Sequence, residues 1–316
     1  MATTTRPRPT TMTAIVSAGD GHRRTERRTV DVPQPGPGEA LVAVRAFSVN
    51  RGEFALLAQS EPGWRAGQDV AGEVVAVGDG VTDVEVGQRV AALVDSGGWA
   101  EYAVAPEERI AALPDGVTVE QAAALPMAGT TALNLVRQGG TLLGRRALVT
   151  GASGGVGGYA VQLLARSGAH VLALARSTHA ERLHALGAAE VVEALDDQVA
   201  PVDFALESVG GHTLAHAIAH INPEGTVVMF GNSSGEPTPI DVYAFMGGHE
   251  DARLQTYLSY HHVHEAGPDL VTLLDLTDHG DLQVEIGLRE SWDATEDVLD
   301  ALAQRRVTGK AVLTIA

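Results

Sequence analysis

Short apolar segments of β character, separated by turn residues, fill the first third of the chain. Within residues 13–112, glycine and proline interrupt these segments about every ten residues, a spacing typical of a small β-barrel or sandwich. The segments are TAIVSAG, EALVAVRAFSV, VAGEVVAVGDGV, GQRVAALV and AEYAVA. The pattern therefore predicts a β-rich domain at the start of the chain.

Further along, segments with helical spacing alternate with short apolar strands. After the helical stretch VTVEQAAALPMAGTTALNLV, the pairs are RALVT with GYAVQLLARSG, HVLALA with HAERLHALG, and VDFALE with GGHTLAHAIAHI, followed by GTVVMFG. This alternation predicts an α/β fold with a doubly wound parallel sheet and crossover helices. Beyond residue 281 the β pattern returns in LQVEIGL and AVLTIA, on either side of the predicted helix ATEDVLDALAQRR.

A glycine-rich turn joins the strand RALVT to the helix that follows it. Gly154, Gly155 and Gly157 allow a sharp turn and let a pyrophosphate approach without intervening Cβ atoms. The N–H groups at the start of the helix then attract the phosphates. A strand, a glycine turn, a helix and a second strand in one unit are specific for a dinucleotide site. Gly154, Gly155 and Val156 are the expected contacts.

Arg176 and Ser177 follow the second strand, where an NAD-specific site has an acidic residue. A carboxylate there would repel a 2′-phosphate, whereas a guanidinium pairs with one. The Ser177 hydroxyl can add a hydrogen bond, and Arg182 is within reach of the same phosphate. The sequence therefore predicts NADPH in preference to NADH. The alternative is that Arg176 is a solvated surface residue.

Composition excludes several classes of partner and site. The chain has 22 Lys and Arg residues against 40 Asp and Glu, a net charge of −18, so we expect no binding to nucleic acid or to a membrane. Because it contains no cysteine, it forms no disulfide, thiol nucleophile or cysteine-ligated zinc site. The N-terminal MATTTRPRPTTM has no hydrophobic stretch, so we expect a frayed tail and no secretory signal, with a transit peptide as the lesser alternative. The absence of cysteine is consistent with the cytoplasmic location that we expect.

Several motifs occur in a characteristic order along the chain: SVNRGEF, PGWRAGQDVAGEVVAVGDGVTDVEVGQRV, GGWAEYAVAP, AAALPMAGTTALNLV, VTGASGGVG, VMFGNSSG and RRVTGKAVL. In this order they resemble the medium-chain dehydrogenase/reductase superfamily, specifically its zinc-independent quinone oxidoreductase-like branch. The likeness runs from residue 12 onward. It implies a GroES-like catalytic domain over residues 1–125, completed by 262–316, with a Rossmann NADP-binding domain over 126–261. It also implies a homodimer.

The resemblance also implies roles for individual residues. It places Asn50 beside the nicotinamide as a catalytic and cofactor-binding residue, and adds further cofactor contacts at Thr131, Val209, Phe230, Gly231, Asn232 and Lys310. Related mitochondrial enoyl reductases carry a tyrosine proton donor in the loop after the Asn50 motif, but the corresponding EFALLAQSEPGW has no tyrosine. Tyr102 is the nearest remaining candidate donor; the alternative is that it packs within the barrel.

No zinc site is expected. Zinc-dependent relatives carry a cysteine where this chain has Asn50 and a His-Glu pair where it has Gln68-Asp69. Neither Asn50 nor Gln68 is a credible zinc ligand. Two histidine groups have chelating spacing, but the amphipathic pattern of the first favours a surface helix over a metal site. These groups are His212, His216 and His220, and His261, His262 and His264.

Without a Lewis acid, the expected chemistry is hydride transfer to an acceptor that is already electrophilic, such as a small-molecule quinone or enone. Small quinones should react faster than 2-enoyl thioesters, because reduced quinone oxygens take protons from water. Two alternatives remain open: a tailoring reductase or cyclising enzyme of secondary metabolism, and an NADPH-binding protein with little turnover. The segment with Tyr257, Tyr260 and His261 is a candidate for the substrate pocket.

Overall fold

The computed structural model describes residues 9–19, 23–241, 243, 245 and 247–316. Residues 1–8 of the N-terminal MATTTRPRPTTM segment lie outside the described residues. The chain divides into two compact units. Unit 1 comprises the described part of Met1–Met127 together with His264–Asp278 and Ile286–Ala316, and unit 2 comprises the described part of Ala128–Val263 together with His279–Glu285.

Both units contain strands and helices. In chain order the strands are β1 (Thr11–Ser17), β2 (Thr25–Asp31), β3 (Glu39–Val49), β4 (Asp69–Val77), β5 (Arg89–Leu93), β6 (Tyr102–Pro106), β7 (Ile110–Ala112), β8 (Arg146–Thr150), β9 (His170–Leu174), β10 (Glu190–Val192), β11 (Val202–Glu207), β12 (Ile221–Met229), β13 (Arg253–Thr256), β14 (Ile286–Ser291) and β15 (Lys310–Thr314). The α-helices are α1 (Gly52–Gln59), α2 (Val119–Ala123), α3 (Pro126–Gln138), α4 (Gly155–Arg166), α5 (Ala180–Ala185), α6 (Gly211–Ala219), α7 (Ala266–Asp278) and α8 (Thr295–Ala303).

Unit 1 is built around β3, whose sequence EALVAVRAFSV is apolar on both faces. β3 pairs antiparallel with β4, β6 and β15, and the sheet runs in the order β14-β15-β3-β4-β5-β7. Phe47 on β3 stacks on Trp99 with ring centroids 5.8 Å apart, and both side chains are fully buried. The β-rich domain predicted from the sequence is therefore confirmed, and β3 is its central strand.

Helix α1 corrects one expectation. A loop is expected over EFALLAQSEPGW, whereas the first half of this segment forms α1. EFALLAQ consists almost entirely of good helix formers, and Glu53 and Leu57, four residues apart, are both buried. The helix ends at Ser60, before the turn-forming Pro62-Gly63. Two turns are too short for the apolar periodicity to stand out.

Unit 2 is a parallel sheet in the order β10-β9-β8-β11-β12-β13. Numbered from its own first strand, this order is 3-2-1-4-5-6, the arrangement of doubly wound dinucleotide-binding folds. The predicted α/β fold class is confirmed. The direction of winding reverses between β8 and β11, so the carboxyl ends of these two strands flank the position where ligands bind in such sheets.

The segment His279–Glu285 belongs to unit 2. The Gln162 side chain accepts a 2.7 Å hydrogen bond from the backbone N–H of Gln283 and donates one of 3.1 Å to its carbonyl. Arg166 forms a 2.8 Å ion pair with Asp281. The strand predicted over LQVEIGL consequently begins only at Ile286. The domain bounds 1–125, 262–316 and 126–261 stay a prediction.

None of the helices in the described ranges has the length and apolar character needed to cross a bilayer.

Candidate active site

Most of the predicted cofactor residues lie at one edge of the sheet in unit 2. Strands of a parallel sheet have their carboxyl ends at the same edge, so loops that are distant in sequence come together there. Four strands contribute: Gly154, Gly155 and Val156 follow β8, Arg176 and Ser177 follow β9, Val209 follows β11, and Phe230, Gly231 and Asn232 follow β12.

The turn after β8 requires glycine on steric grounds. A Cβ on Gly157 would lie 2.4 Å from the carbonyl oxygen of Gly151 and 2.7 Å from Cα of Ala152. Gly151 itself has φ of +60°. Gly154 is the N-cap of α4 and has no side chain to cap the first helical N–H groups. The turn therefore presents backbone N–H groups at a close-packed helix start, which fits a pyrophosphate.

A buried carboxylate fixes the loop after β11. Glu207 is fully buried and accepts hydrogen bonds from the N–H groups of Val209 (2.8 Å) and Gly210 (3.1 Å) and from the Thr150 hydroxyl (3.1 Å). The Thr150 hydroxyl in turn accepts from the N–H of Ser208 at 2.9 Å. Burial raises the pKa of Glu207, against the effect of these donors. The backbone on which Val209 lies is thereby anchored to the end of β8.

The loop after β12 packs on the loop after β11. The N–H of Ser233 donates to the carbonyl of Ser208 at 2.9 Å. Gly210 has φ of +75°, and a Cβ there would lie 2.1 Å from Oδ1 of Asn232. Gly210 is therefore required both for its backbone conformation and for the position of Asn232.

Three basic side chains lie on the turn after β9 and on the helix α5 that follows it. Nη2 of Arg176 is 3.4 Å from Nε2 of His179. The pKa of His179 is lowered by burial and by the charges of Arg182 and Arg176. Arg182 forms an ion pair with Glu285, while its Nε and Nη2 are buried and have no hydrogen-bond partner among the described residues. Mutual repulsion within this group is relieved by an anion.

Glu193 is a site residue that the sequence analysis missed. β10 lies beside β9 with Val192 opposite Leu174, so the residues after the two strands are neighbours. The N–H of Ser177 donates to the Glu193 carboxylate at 2.5 Å. The pKa of Glu193 is lowered, first by the Ser177 side chain and then by this N–H. Both donors of Ser177 are therefore engaged by a carboxylate.

Asn50 and Lys310 meet in a buried polar network in unit 1. Val49 on β3 pairs with Ala311 on β15, which brings the neighbouring Asn50 and Lys310 together. Nζ of Lys310 donates to Oδ1 of Asn50 at 2.5 Å and lies 3.4 Å from Asp69 Oδ2. Nδ2 of Asn50 donates to the same Asp69 oxygen at 2.7 Å. Lys310 is 3% and Asp69 0% exposed.

A second buried carboxyl completes this network. Glu53 accepts hydrogen bonds from the N–H groups of Asn50 (2.7 Å) and Gln68 (3.1 Å). Burial, and then the charge of Asp69, raise the pKa of Glu53 to about 8. The Glu53 carboxyl is therefore protonated at neutral pH.

The side chains around Asn50 are not suitable ligands for a zinc ion. The Asn50 oxygen accepts from the Lys310 ammonium, which also neutralises Asp69. A second cation there would be repelled by the ammonium.

The predicted histidine groups do not form a metal site either. Both ring nitrogens of His220 face backbone carbonyls, those of His216 at 2.8 Å and Asp196 at 2.9 Å. Nowhere in the described ranges do three or more His, Asp or Glu side chains converge as metal ligands.

The other predicted residues lie outside these two clusters. Tyr102 is on β6 opposite Ala43, partly buried and packed against an apolar cluster of unit 1. Thr131 is buried on α3. The Tyr257 ring is buried and stacks on His262 with centroids 4.7 Å apart. Of the predicted site residues, the structure therefore brings together Asn50 and Lys310 in unit 1, and those at the carboxyl ends of the strands in unit 2.

Comparison with known proteins gives consistent matches over most of the chain. Residues 36–115 match the family described as Alcohol dehydrogenase GroES-like domain, and residues 155–275 match the family described as Zinc-binding dehydrogenase. A quinone oxidoreductase from Pseudomonas aeruginosa is 32% identical over 94% of this chain and 97% of its own length. Prostaglandin reductase-3 from Bos taurus is 30% identical over 92% of this chain and 85% of its own length.

A solved structure gives the same result in three dimensions. A mycobacterial protein in complex with NADPH superimposes with a TM-score of 0.86 and 27% sequence identity, covering 96% of this chain and 100% of that protein. The GroES-like domain and the Rossmann-like parallel sheet expected from the sequence are thereby confirmed.

Proposed function

The chain belongs to the quinone oxidoreductase-like branch of the medium-chain dehydrogenase/reductase superfamily, and we propose that it reduces quinones or other α,β-unsaturated carbonyl compounds with NADPH, without zinc. The observation that carries this proposal is the carboxyl edge of the sheet in unit 2, where a glycine turn and a basic turn follow adjacent strands. NADPH, when bound, supplies the hydride.

The residues of unit 2 support NADPH as the cofactor. The backbone N–H groups at the start of α4 would hold the pyrophosphate. Arg176, with His179 and Arg182 close enough to act on each other, would pair with the 2′-phosphate, and the Ser177 donors would join once they leave Glu193. Val209 and Asn232 lie on loops that Glu207 and Gly210 hold in place. The mycobacterial relative in complex with NADPH supports the same assignment.

In unit 1, Asn50 would contact the nicotinamide or the acceptor. Its partly exposed carboxamide is held by buried neighbours, so it is positioned without loss of side-chain freedom on binding. Tyr102 is packed on β6, which favours its structural role over that of a proton donor. A quinone suits this arrangement because its reduced oxygens can take protons from water. The quinone oxidoreductase from Pseudomonas aeruginosa supports this acceptor class.

A binding and turnover screen tests the proposal. NADPH and NADH are titrated by nicotinamide fluorescence, and NADPH oxidation is then followed with a small para-quinone, a simple enone and a 2-enoyl thioester. We expect NADPH to bind at least about tenfold tighter than NADH, as one charge-assisted phosphate pair predicts, and the quinone to be reduced. Tight NADPH binding without turnover on any acceptor would instead identify a binding protein. Faster turnover of the thioester would identify an enoyl reductase.

A further inference from the structure

The carboxamide of Asn50 can adopt only one orientation in its network. Its oxygen faces the ammonium of Lys310, and one of its N–H groups faces the carboxylate of Asp69. Rotation of the amide by half a turn would set N–H against ammonium and carbonyl oxygen against carboxylate. Both contacts would be repulsive, since an ammonium has no acceptor and an ionised carboxylate has no donor.

This orientation leaves one functional group of Asn50 available. A carboxamide nitrogen carries two hydrogens, and only one of them is bonded to Asp69. The second has no hydrogen-bond partner among the described residues, and Asn50 is partly exposed, unlike Lys310 and Asp69. A ligand that places an acceptor oxygen at this position would therefore receive a hydrogen bond from Asn50.

Lys310 strengthens that donor from behind. Its ammonium makes a charge-assisted hydrogen bond of 2.5 Å to the amide oxygen, and Lys310 is almost completely removed from water. Hydrogen bonds in a chain polarise one another, more strongly in a poorly solvated environment. A cation on the oxygen draws electron density from the nitrogen and makes its remaining N–H a better donor.

We infer that Asn50 acts as a hydrogen-bond donor to the carbonyl oxygen of the acceptor, and that Lys310 is a positioning residue that works through the Asn50 carboxamide, with Asp69 fixing its orientation. This inference rests on the proposed function. Negative charge develops on the acceptor oxygen during reduction of a quinone or enone, so a fixed donor there favours the transition state. The acceptor must accordingly present a carbonyl oxygen to Asn50. Lys310, predicted from the resemblance as a cofactor contact, would accordingly act on the acceptor through Asn50.

A double-mutant cycle tests whether Lys310 acts through Asn50. K310M, N50A and the double variant are compared for kcat with a small quinone and for the Kd of NADPH. We expect each single change to lower kcat by roughly ten- to a hundredfold, and the double variant to be no worse than N50A. NADPH affinity should change little in K310M. Effects that multiply, or weaker NADPH binding with kcat unchanged, would overturn the inference.

Folding is controlled within the same experiment. K310M leaves the Asp69 carboxylate buried without its cation, a change that often destabilises proteins. D69N/K310M removes both charges, and thermal unfolding identifies which variants are folded. K310M is used for the cycle if it is folded. If it is not, the cycle is run in the D69N background, with D69N, D69N/K310M, D69N/N50A and the triple variant, so that the loss of Asp69 is common to all four proteins.

A spectroscopic measurement on the wild-type protein does not depend on turnover. The two side-chain amide proton signals of Asn50 are identified in a nitrogen-15 NMR spectrum by their loss in N50A. We expect one proton to exchange slowly with water, because it is bonded to Asp69, and the other to shift when the hydroquinone product is added. Two protons that exchange equally fast, or no shift with hydroquinone, would contradict the inference. If the wild-type protein reduced no acceptor, the proposed function would fail, while this spectrum would still test the orientation of Asn50.

Discussion

The backbone N–H of Ser177 donates a 2.5 Å hydrogen bond to the carboxylate of Glu193, across the ends of two adjacent strands. The same carboxylate also interacts with the Ser177 hydroxyl. Glu193 therefore occupies the donors that a 2′-phosphate would use and places a negative charge beside them. Under the proposed function, the positive charge of Arg176 would favour NADPH over NADH, and the negative charge of Glu193 would oppose it.

Glu193→Gln should strengthen NADPH binding. Removing the exposed charge relieves repulsion of the phosphate, and the uncharged amide oxygen that remains holds the Ser177 N–H less strongly than the carboxylate does, so we expect Kd for NADPH to fall by about three- to fivefold, with NADH affected less. The gain should shrink as salt is added, because the charges are screened. The measurement is a fluorescence titration of both cofactors. Glu250→Gln, on an exposed residue before β13, is the control.

An equal effect of Glu193→Gln and Glu250→Gln would mean that Glu193 changes only the net charge of the protein. Unchanged NADPH affinity in Glu193→Gln would show that the carboxylate does not face the phosphate.

Arg176→Asp should abolish or reverse the preference for NADPH. The substitution replaces the phosphate partner by a carboxylate that accepts from ribose hydroxyls, and the expected preference to be lost is at least about tenfold, or 1.4 kcal/mol. Arg145→Asp makes the same change in charge on an exposed arginine that precedes β8, at the opposite edge of the sheet. If the ratio of NADPH to NADH affinity is the same in both variants, Arg176 is only a surface residue.

Glu53 should make the stability of the protein decrease as pH rises toward about 8. Its pKa is raised on folding, so the folded state holds a proton that the unfolded state releases above the ordinary carboxyl pKa. The free energy of unfolding then falls, by up to about 1.4 kcal/mol per pH unit, and levels off above pH 8. Glu53→Gln should remove this slope.

Denaturant unfolding of both proteins from pH 5 to pH 9 measures the effect of Glu53, since stability at each pH follows from the midpoint and slope. The glutamine side chain of the Glu53→Gln variant keeps only one oxygen for the two backbone donors, so the variant carries a constant loss at every pH. Glu73→Gln, an exposed change on β4, is the control. Identical slopes in wild type and Glu53→Gln would refute the raised pKa.

Chelation should leave activity intact. The Lys310 ammonium already serves as the cation beside Asn50 and Asp69, so we expect the purified protein to contain no stoichiometric zinc and to keep full activity in EDTA. Elemental analysis and an activity assay after dialysis measure this. One tightly bound zinc per chain, with activity lost on chelation and restored by zinc, would contradict it.

The fold was predictable where sequence pattern and local structure coincide. The parallel sheet follows from apolar strands that alternate with helices, and the glycine turn from its fixed place after β8. Helix α7 was not predicted, because Gly267-Pro268 resembles a turn. Proline is tolerated in the first helical turn, and a Cβ on Gly267 would lie 2.4 Å from the carbonyl oxygen of Glu108. The start of α7 therefore depends on packing against a segment that is distant in sequence, which the local sequence pattern does not reveal.

The candidate site was predictable only in part, for the same reason. Asn50 and Lys310 are 260 residues apart, and the pairing of β3 with β15 brings them together. Glu193 reaches Ser177 through the pairing of β9 with β10, a strand too short to recognise. A signal did exist for the buried carboxylates, since Asp69 and Glu207 each border an apolar strand. The residues that pair with these carboxylates could not be predicted, because they depend on the register between strands.

A single-turnover experiment tests the central claim most directly. The protein is loaded with NADPH, or with NADPH deuterated at the transferred position, and mixed in a stopped-flow instrument with a small quinone or a 2-enoyl thioester. The account predicts that the quinone is reduced faster, that deuterium slows this step, and that Tyr102→Phe leaves its rate unchanged. Faster reduction of the thioester, abolished by Tyr102→Phe, would contradict the account and assign an enoyl reductase.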